Sequence, residues 1–375
     1  MVFRMVALFW FLFAQVLEGA PQAAPKQGDN GDPLLGHRIA KGVVFEDRLW
    51  LRGTDVSRKG GQGGLISLGL SDDSRTVHFE RGVVDIEKSG HELLVLRQTT
   101  QDVRHLVVSA WRKGTFQDLA SFSLSGKDDP LALFDDAGNP GVLSHKALRI
   151  LSGDQHDWRV ITLKGELRGG VQISVAPARN GKDIYLGFNH GEWGGGLQRV
   201  NVETGAITNV ERRDTKELCN GPLNSDCDPV TGVVADPKNA DCIFVAVGLV
   251  HMFTSEGRIL RVCGERVTPI AEEPTTGGIG GKMKMTEAFY GLAPVEDGSL
   301  WGITWRALYR FSADGKEEAQ YALPKLKPIS GIYLSRELPG VIVVSTDVNW
   351  AVSTSGYTPL VIPLENSETH KRSSE

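Results

Sequence analysis

The residues best equipped for chemistry cluster in a short stretch, Asn189–Leu197, that reads NHGEWGGGL. His190 and Glu192 are an acid–base pair by type, Trp193 offers a flat apolar surface, and three glycines follow at once. A second stretch, SGDQHDWR, sets His156 beside Asp157 and Trp158. Either histidine can move a proton near neutral pH with a neighbouring carboxylate as partner. Further along come His251 in GLVHMFTSEG, Trp305 and Arg306 in ITWRAL, and Asp347, Asn349 and Trp350 in STDVNWAV. Arg306 suits a substrate carboxylate. The same residues have plainer uses. His190 and Glu192 can satisfy the backbone of a turn, the tryptophans can wedge between sheets, and Gly194–Gly196 can serve a bulge, a left-handed turn or a close approach of ligand or neighbouring backbone. Which use holds depends on the elements that carry them.

Other chemistry is thinly represented. No serine sits in a nucleophile elbow, and neither an HExxH nor a phosphate-binding loop occurs. Phe134–Gly141 (FDDAGNPG) has the look of a calcium-binding turn without its closing glutamate, and reads as the tip of a hairpin. The four cysteines, Cys219, Cys227, Cys242 and Cys263, lack CxxC spacing and neighbouring histidines. Neither a metal nor a cofactor is therefore expected.

An even cysteine count in an exported chain favours disulfides, and four cysteines allow three pairings. The preferred one joins Cys219 to Cys227 across NGPLNSD, and Cys242, which opens one strand, to Cys263, which closes the next. Export itself is read from the start of the chain. Arg4, the apolar run Met5–Leu17 and the small residues and prolines of Gly19–Pro25 have the layout of a secretory signal peptide. The alternative is an uncleaved anchor, for which the run is short. The expected partition is a signal peptide at 1–23, a disordered lead-in at 24–36, the folded region at 37–365 and a disordered tail at 366–375. No later run is long and apolar enough to span a bilayer, so no stable membrane insertion is expected after cleavage, and the product is periplasmic or secreted. A net charge of −5 without a basic stretch argues against a nucleic-acid partner.

The elements that must position these residues are strands. Short runs of Val, Ile, Leu, Phe and Trp alternate with Gly, Asp, Asn and Pro turns, and the order of the runs repeats about every 45 residues. Clear copies are Val171–Thr208, Pro229–Arg266, Glu287–Lys316 and Ser330–Leu364; looser ones are His37–Glu80, Arg81–Lys127 and Asp128–Gly170. A lone four-stranded sheet cannot bury both faces, whereas sheets packed radially bury each against the next. The expectation is an all-β, seven-bladed β-propeller with four strands per blade, six or eight blades being the alternatives. A pair of β-sandwiches would need a mid-chain linker, which is absent from the sequence.

Val295–Gly315, VEDGSLWGITWRALYRFSADG, resembles the blades of two-component-regulator propellers and related bacterial sensor propellers. There an Asp-Gly turn precedes an LW-G-T-like strand, and an L-R strand ends at a second glycine. Ile184–Gly205 is similar in a looser way. The resemblance implies the fold and leaves the function open, since such propellers serve many roles.

In a propeller the connections from second to third strand leave every blade on one face, together with the linkers between blades. His156, Asp157, His190, Glu192, Trp193, His251, Trp305, Arg306, Asn349 and Trp350 are all assigned to such connections. An aromatic face edged with His, Asp, Asn and Arg suits a glycan, peptide or protein partner. The alternative is a polysaccharide lyase or hydrolase with a His/carboxylate/Arg site in the central funnel.

Overall fold

The computed structural model describes residues 37–323 apart from 56–60, 71, 73, 100–101, 153–156, 169–171, 179, 252–253 and 278–282, and then 329–335, 341–346 and 360–363. The expected signal peptide, lead-in and tail, together with His156, Asn349 and Trp350, lie outside the described residues.

Strands form where the apolar runs were read and turn back at the Gly- and Asp-containing breaks. The first blade is β1 (His37–Phe45), β2 (Arg48–Asp55), β3 (Gly61–Gly69) and the first half of β4 (Arg75–Ser89). The second half of β4 opens the second blade, with β5 (Glu92–Gln98), β6 (His105–Arg112) and β7 (Thr115–Ser123). The third is β8 (Pro130–Asp136), β9 (Asn139–Ser144), β10 (Ala147–Leu151) and β11 (Trp158–Thr162). The fourth is β12 (Gln172–Pro177), β13 (Asp183–Asn189), β14 (Gly195–Asn201) and β15 (Ile207–Val210), with a single 3-10 turn at Gly191–Trp193.

The fifth comprises β16 (Val230–Ala235), β17 (Cys242–His251), β18 (Thr254–Cys263) and β19 (Arg266–Ala271). A separate hairpin follows, β20 (Pro274–Gly277) and β21 (Met283–Thr286), before the sixth blade, β22 (Gly291–Pro294), β23 (Leu300–Ile303), β24 (Ala307–Phe311) and β25 (Glu317–Ala322). The last described sheet is β26 (Ile329–Ser335), β27 (Val341–Thr346) and β28 (Leu360–Pro363), three strands where four were expected.

Each blade is an antiparallel meander, neighbouring strands pairing in chain order. The first strands of successive blades touch one another, and β26 also touches β1. This radial arrangement is a β-propeller. The core is not inside the blades but between them. Along β17, Ile243, Val245 and Val247 pack on the fourth blade, while Phe244 and Ala246 pack on the sixth. Strand alternation, which gives a surface sheet one apolar face, here serves two neighbours, so the strands read as continuous apolar runs.

Asp157 and Trp158 do not lie on a second-to-third connection: Asp157, whose O accepts from Ser152 N–H at 2.9 Å, precedes β11 and Trp158 opens it, so both sit where the third strand β10 passes to the fourth, at the opposite end of the blade. The run VLSHKALRIL reads as one strand because its turn holds neither Gly nor Pro. Side chains make the turn instead. Ser144 Oγ donates to Asp128 Oδ2 at 2.9 Å, Lys146 N–H donates to Asp128 Oδ1 at 3.0 Å, and Ala147 N–H donates to Ser144 Oγ at 3.2 Å. Trp158 is a wedge between blades: its indole N–H donates to Ser121 O at 3.3 Å and its ring meets Phe122 edge-on at 5.0 Å.

Candidate functional site

Residues His190–Gly194 join β13 to β14, so NHGEWGGGL is a second-to-third connection, as read. The tight turn is held by its own backbone: His190 N–H donates to Gly194 O at 2.9 Å, and Gly191 N–H donates to Asn189 Oδ1 at 2.8 Å. Trp193 is left 76% exposed. Burial, and secondarily the Arg168 guanidinium, hold the His190 imidazole below its ordinary pKa. His190 therefore stays neutral and able to accept a proton at pH values where a free histidine is charged.

The three glycines are explained by an insertion. The linker from β15 to β16 carries a strap closed by the Cys219–Cys227 disulfide, and its backbone lies directly on the glycine run. Gly194, Gly195 and Gly196 take φ of +75°, +136° and +75°. A Cβ on Gly194 or Gly196 would collide with the chain at Ser225–Cys227. Gly195 N–H donates to Ser225 O at 3.0 Å and Gly196 N–H to Asp228 O at 2.9 Å. Arg258 of β18 pins the strap from below. Its Nε donates to Pro222 O at 2.6 Å and its Nη2 to Asp228 Oδ2 at 2.6 Å, with both side chains buried. Both disulfides match the preferred pairing, Cys242 and Cys263 being cross-strand partners at the root of the β17–β18 hairpin.

Ten-residue strands carry the β17–β18 hairpin out toward this turn. At its tip His251 Nε2 meets Glu192 Oε2 at 2.6 Å, across the seam between the fourth and fifth blades. On the other side of the tip, Val250 and Thr254 line a cavity of about 180 Å³. Its far wall is Trp305, stacked on Tyr290 with centroids 5.5 Å apart and planes within 7°. Arg306 sits at the rim, donating to Thr275 Oγ1 at 2.8 Å and paired with Glu287 at 3.3 Å. Met285 of β21 completes the wall. The Tyr290 hydroxyl is buried with no hydrogen-bond partner, and burial with the nearby Glu287 charge lifts its pKa well above the phenol range.

The structure thus joins His251 to Glu192 and groups Trp305 with Arg306, while His190 and Trp193 occupy the adjoining turn. It does not bring Asp157 or Trp158 to this face. Tyr290, Glu287, Thr275 and Met285 were missed. Thr275 and Met285 belong to the linker between the fifth and sixth repeats, where no periodicity marks a residue; Glu287 and Tyr290 open the sixth repeat, whose aromatic pair FY at 289–290 was read only as part of its first apolar strand. A larger, open cleft of about 590 Å³ lies on the second blade, lined in part by Arg97, His105 and Asp118. Its principal charge is already satisfied, Arg97 Nη2 donating to both Asp118 oxygens at 2.8 and 3.0 Å, so the smaller aromatic cavity is the better candidate. Among the described residues no cluster of three or more His, Cys, Asp or Glu is placed to hold a metal ion, and no helix is long and apolar enough to cross a membrane.

No family model matches the chain, and no curated protein matches it in sequence. In structure it is similar to the extracellular domain of the one component system BT4673 from B. thetaiotaomicron, with a TM-score of 0.51 and 12% identity over 86% of this chain and 39% of that one. A second structure, of the extracellular domain of the hybrid two component system BT4673, gives 0.50 and 12% over 83% and 37%. The chain spans well under two thirds of the length of either. The β-propeller domain of Cps50 (Swd1) from Myceliophteria thermophila aligns with a TM-score of 0.47 and 10% identity over 82% of this chain and 94% of that one. The chain has the propeller fold and resembles sensor extracellular domains in it.

Proposed function

We propose that this chain is an exported binding or sensing propeller that takes a glycan, peptide or protein partner on the face bearing its second-to-third connections. The observation that carries this is Trp305, 45% exposed and stacked on Tyr290, beside a cavity rimmed by Arg306, Glu287 and Thr275. A flat ring flanked by fixed donors and acceptors is how a protein holds a ligand with one apolar face and several polar groups. The His251–Glu192 pair forms the rim toward the fourth blade, and His190 and Trp193 are reached only by a ligand that extends past it. Export is supported by the signal-like start, the two disulfides and the extracellular domains among the structural neighbours. Closure as seven blades belongs to the same reading, supported by the contact of β26 with β1. A glycan and peptide binding screen on the mature protein, repeated with Trp305→Ala, is the test. A ligand that binds wild type and is lost by at least tenfold in the variant is expected; equal binding to both would remove the cavity from the proposal.

A second reading rests on the His251–Glu192 contact, which is the geometry of a general acid–base pair. On that reading, release of unsaturated or reducing ends from polysaccharides should be detectable and should vanish in His251→Ala. Absence of turnover in wild type leaves the binding reading alone.

A further inference from the structure

By type Arg306 should hold a ligand carboxylate, but a carboxylate already stands beside it. Glu287 Oε1 lies 3.3 Å from Arg306 Nη1, and the same Nη1 donates to Thr275 Oγ1 at 2.8 Å. The Arg306 side chain is mostly exposed, whereas that of Glu287 is nearly buried. The pair is neutral, and its negative end is fixed in the cavity wall. Glu273, whose backbone O accepts from Glu287 N–H at 2.8 Å, brings a second negative charge to the neighbourhood: burial first, then Glu287 and Glu273 together, raises the Tyr309 phenol.

The other polar groups of the cavity are donors. Ser255 Oγ accepts from Ala288 N–H at 3.2 Å, and Thr275 Oγ1 accepts from Arg306. Each hydroxyl keeps its own proton to donate, and among the described residues neither finds an acceptor. Arg306 adds Nε and Nη2, which donate to no described residue. These groups line the same cavity as Trp305, whose ring is covered by Tyr290 on one face and 45% exposed overall. An apolar peptide side chain placed here would leave the donors and the carboxylate unpaired. A ligand carboxylate would meet Glu287, and a ligand ammonium would meet Arg306. A sugar hydroxyl both donates and accepts, and a pyranose offers an apolar C–H face to an indole. The cavity, at about 180 Å³, is smaller than the roughly 300–1,000 Å³ that encloses a whole small molecule. It admits one ring, with the rest of the ligand outside.

We propose that the Trp305 cavity takes one neutral sugar unit of a glycan, and that Glu287 is the residue that excludes acidic sugars. This rests on the reading of that cavity as the ligand site. Trp305 stacks on the sugar ring, Thr275, Ser255 and Arg306 donate to its hydroxyls, and Glu287 accepts from one of them. Specificity then comes from the charge that Glu287 sets against a uronate, the repulsive half of discrimination. Removing that charge while keeping the side chain's shape frees Arg306 to pair with a ligand carboxylate.

Calorimetric titration of the mature, oxidised protein with matched oligosaccharides tests this. Each pair has the same ring stereochemistry and linkage and differs only in a hydroxymethyl or a carboxylate: galactose and galacturonate, glucose and glucuronate, mannose and mannuronate chains. Wild type should bind at least one neutral member, and its acidic counterpart about tenfold more weakly or worse. Glu287→Gln should reduce that preference by about tenfold or reverse it. Should Glu287→Gln fail to fold, Arg306→Gln carries the test from an exposed side chain: it removes the cation, leaves Glu287, and should widen the preference. A wild type that prefers the uronate overturns the proposal, as does a preference unmoved by the folded variant, or silence of every sugar. A peptide bound through Trp305 with every sugar silent removes the sugar assignment and keeps the cavity as the ligand site. A sugar bound equally by wild type and Trp305→Ala removes both.

Discussion

Arg258 carries three hydrogen bonds from a buried position, and nothing else in its surroundings offers Asp228 a positive charge. Arg258→Met would leave a carboxylate buried without its partner, at a cost of about 3–5 kcal/mol in urea unfolding. Arg258→Met combined with Asp228→Leu should cost clearly less than the single change plus the loss of the carboxylate, because the unpaired charge is gone. Trp305→Ala should behave oppositely. It forfeits an aromatic stack of about 0.5–1.5 kcal/mol, but it opens the Tyr290 hydroxyl to water and so relieves a buried, unpartnered group that costs about 1–3 kcal/mol. Its unfolding midpoint should therefore stay near wild type while ligand affinity falls. His78 lies over Trp50 with centroids 4.4 Å apart, and burial, then the Arg48 charge, lower its pKa to about 4. Protonation favours the unfolded chain. The neutral ring's contribution is complete above about pH 6.5, falls as pH drops toward 4, and changes no further below that. Urea midpoints measured across this window should slope less in His78→Gln than in wild type. At this scale the sequence pointed to His190, Glu192, Trp193, His251, Trp305 and Arg306 by residue type alone. Tyr290 escaped because what matters about it, a ring beneath another ring, is made only by folding.

Strands were legible wherever Gly, Asp or Asn marked the turns, and the repeat boundaries fall within a few residues of the observed blades. Two kinds of element were not. The β9–β10 turn is built by Asp128 and Ser144 side chains, so no turn residue announces it. The disulfide strap and the β20–β21 hairpin sit in linkers between blades, outside the repeat, and periodicity cannot report what does not recur. The two disulfides should consequently differ in effect. Replacing Cys242 and Cys263 by alanine removes a cross-link at the base of the β17–β18 hairpin and should lower stability by about 2–4 kcal/mol, leaving the distant tip intact. Replacing Cys219 and Cys227 by serine loosens the strap. Because that disulfide closes a separation of 8 residues against 21, its loss should cost less stability than loss of the hairpin pair when urea midpoints are compared. Gly195→Ala, placed at φ +136° against the Phe188 carbonyl, should destabilise more than alanine at Gly191, where φ is +61° and a Cβ would meet open space.

At the scale of the whole molecule, each apolar cluster among the described residues is shared by two blades: the first with the second, and so on to the fifth with the sixth. None of the six blades these clusters join owns a core, so none of the six should unfold by itself. Thermal unfolding followed by near-ultraviolet and far-ultraviolet circular dichroism should give one coincident transition. Two separated transitions would show that the clusters are less coupled than their packing indicates. The fifteen-residue β4 takes this coupling furthest, because it passes from one blade to the next with no linker. Elsewhere the chain has room between blades, and that is where it has taken on extra material. At Glu80–Gly82 it has none. An added residue there would invert which side chains of the second blade face each neighbour. When relatives of this chain are compared, lengths should vary freely between the fourth, fifth and sixth blades and not at all at this joint, a boundary that insertion cannot have widened.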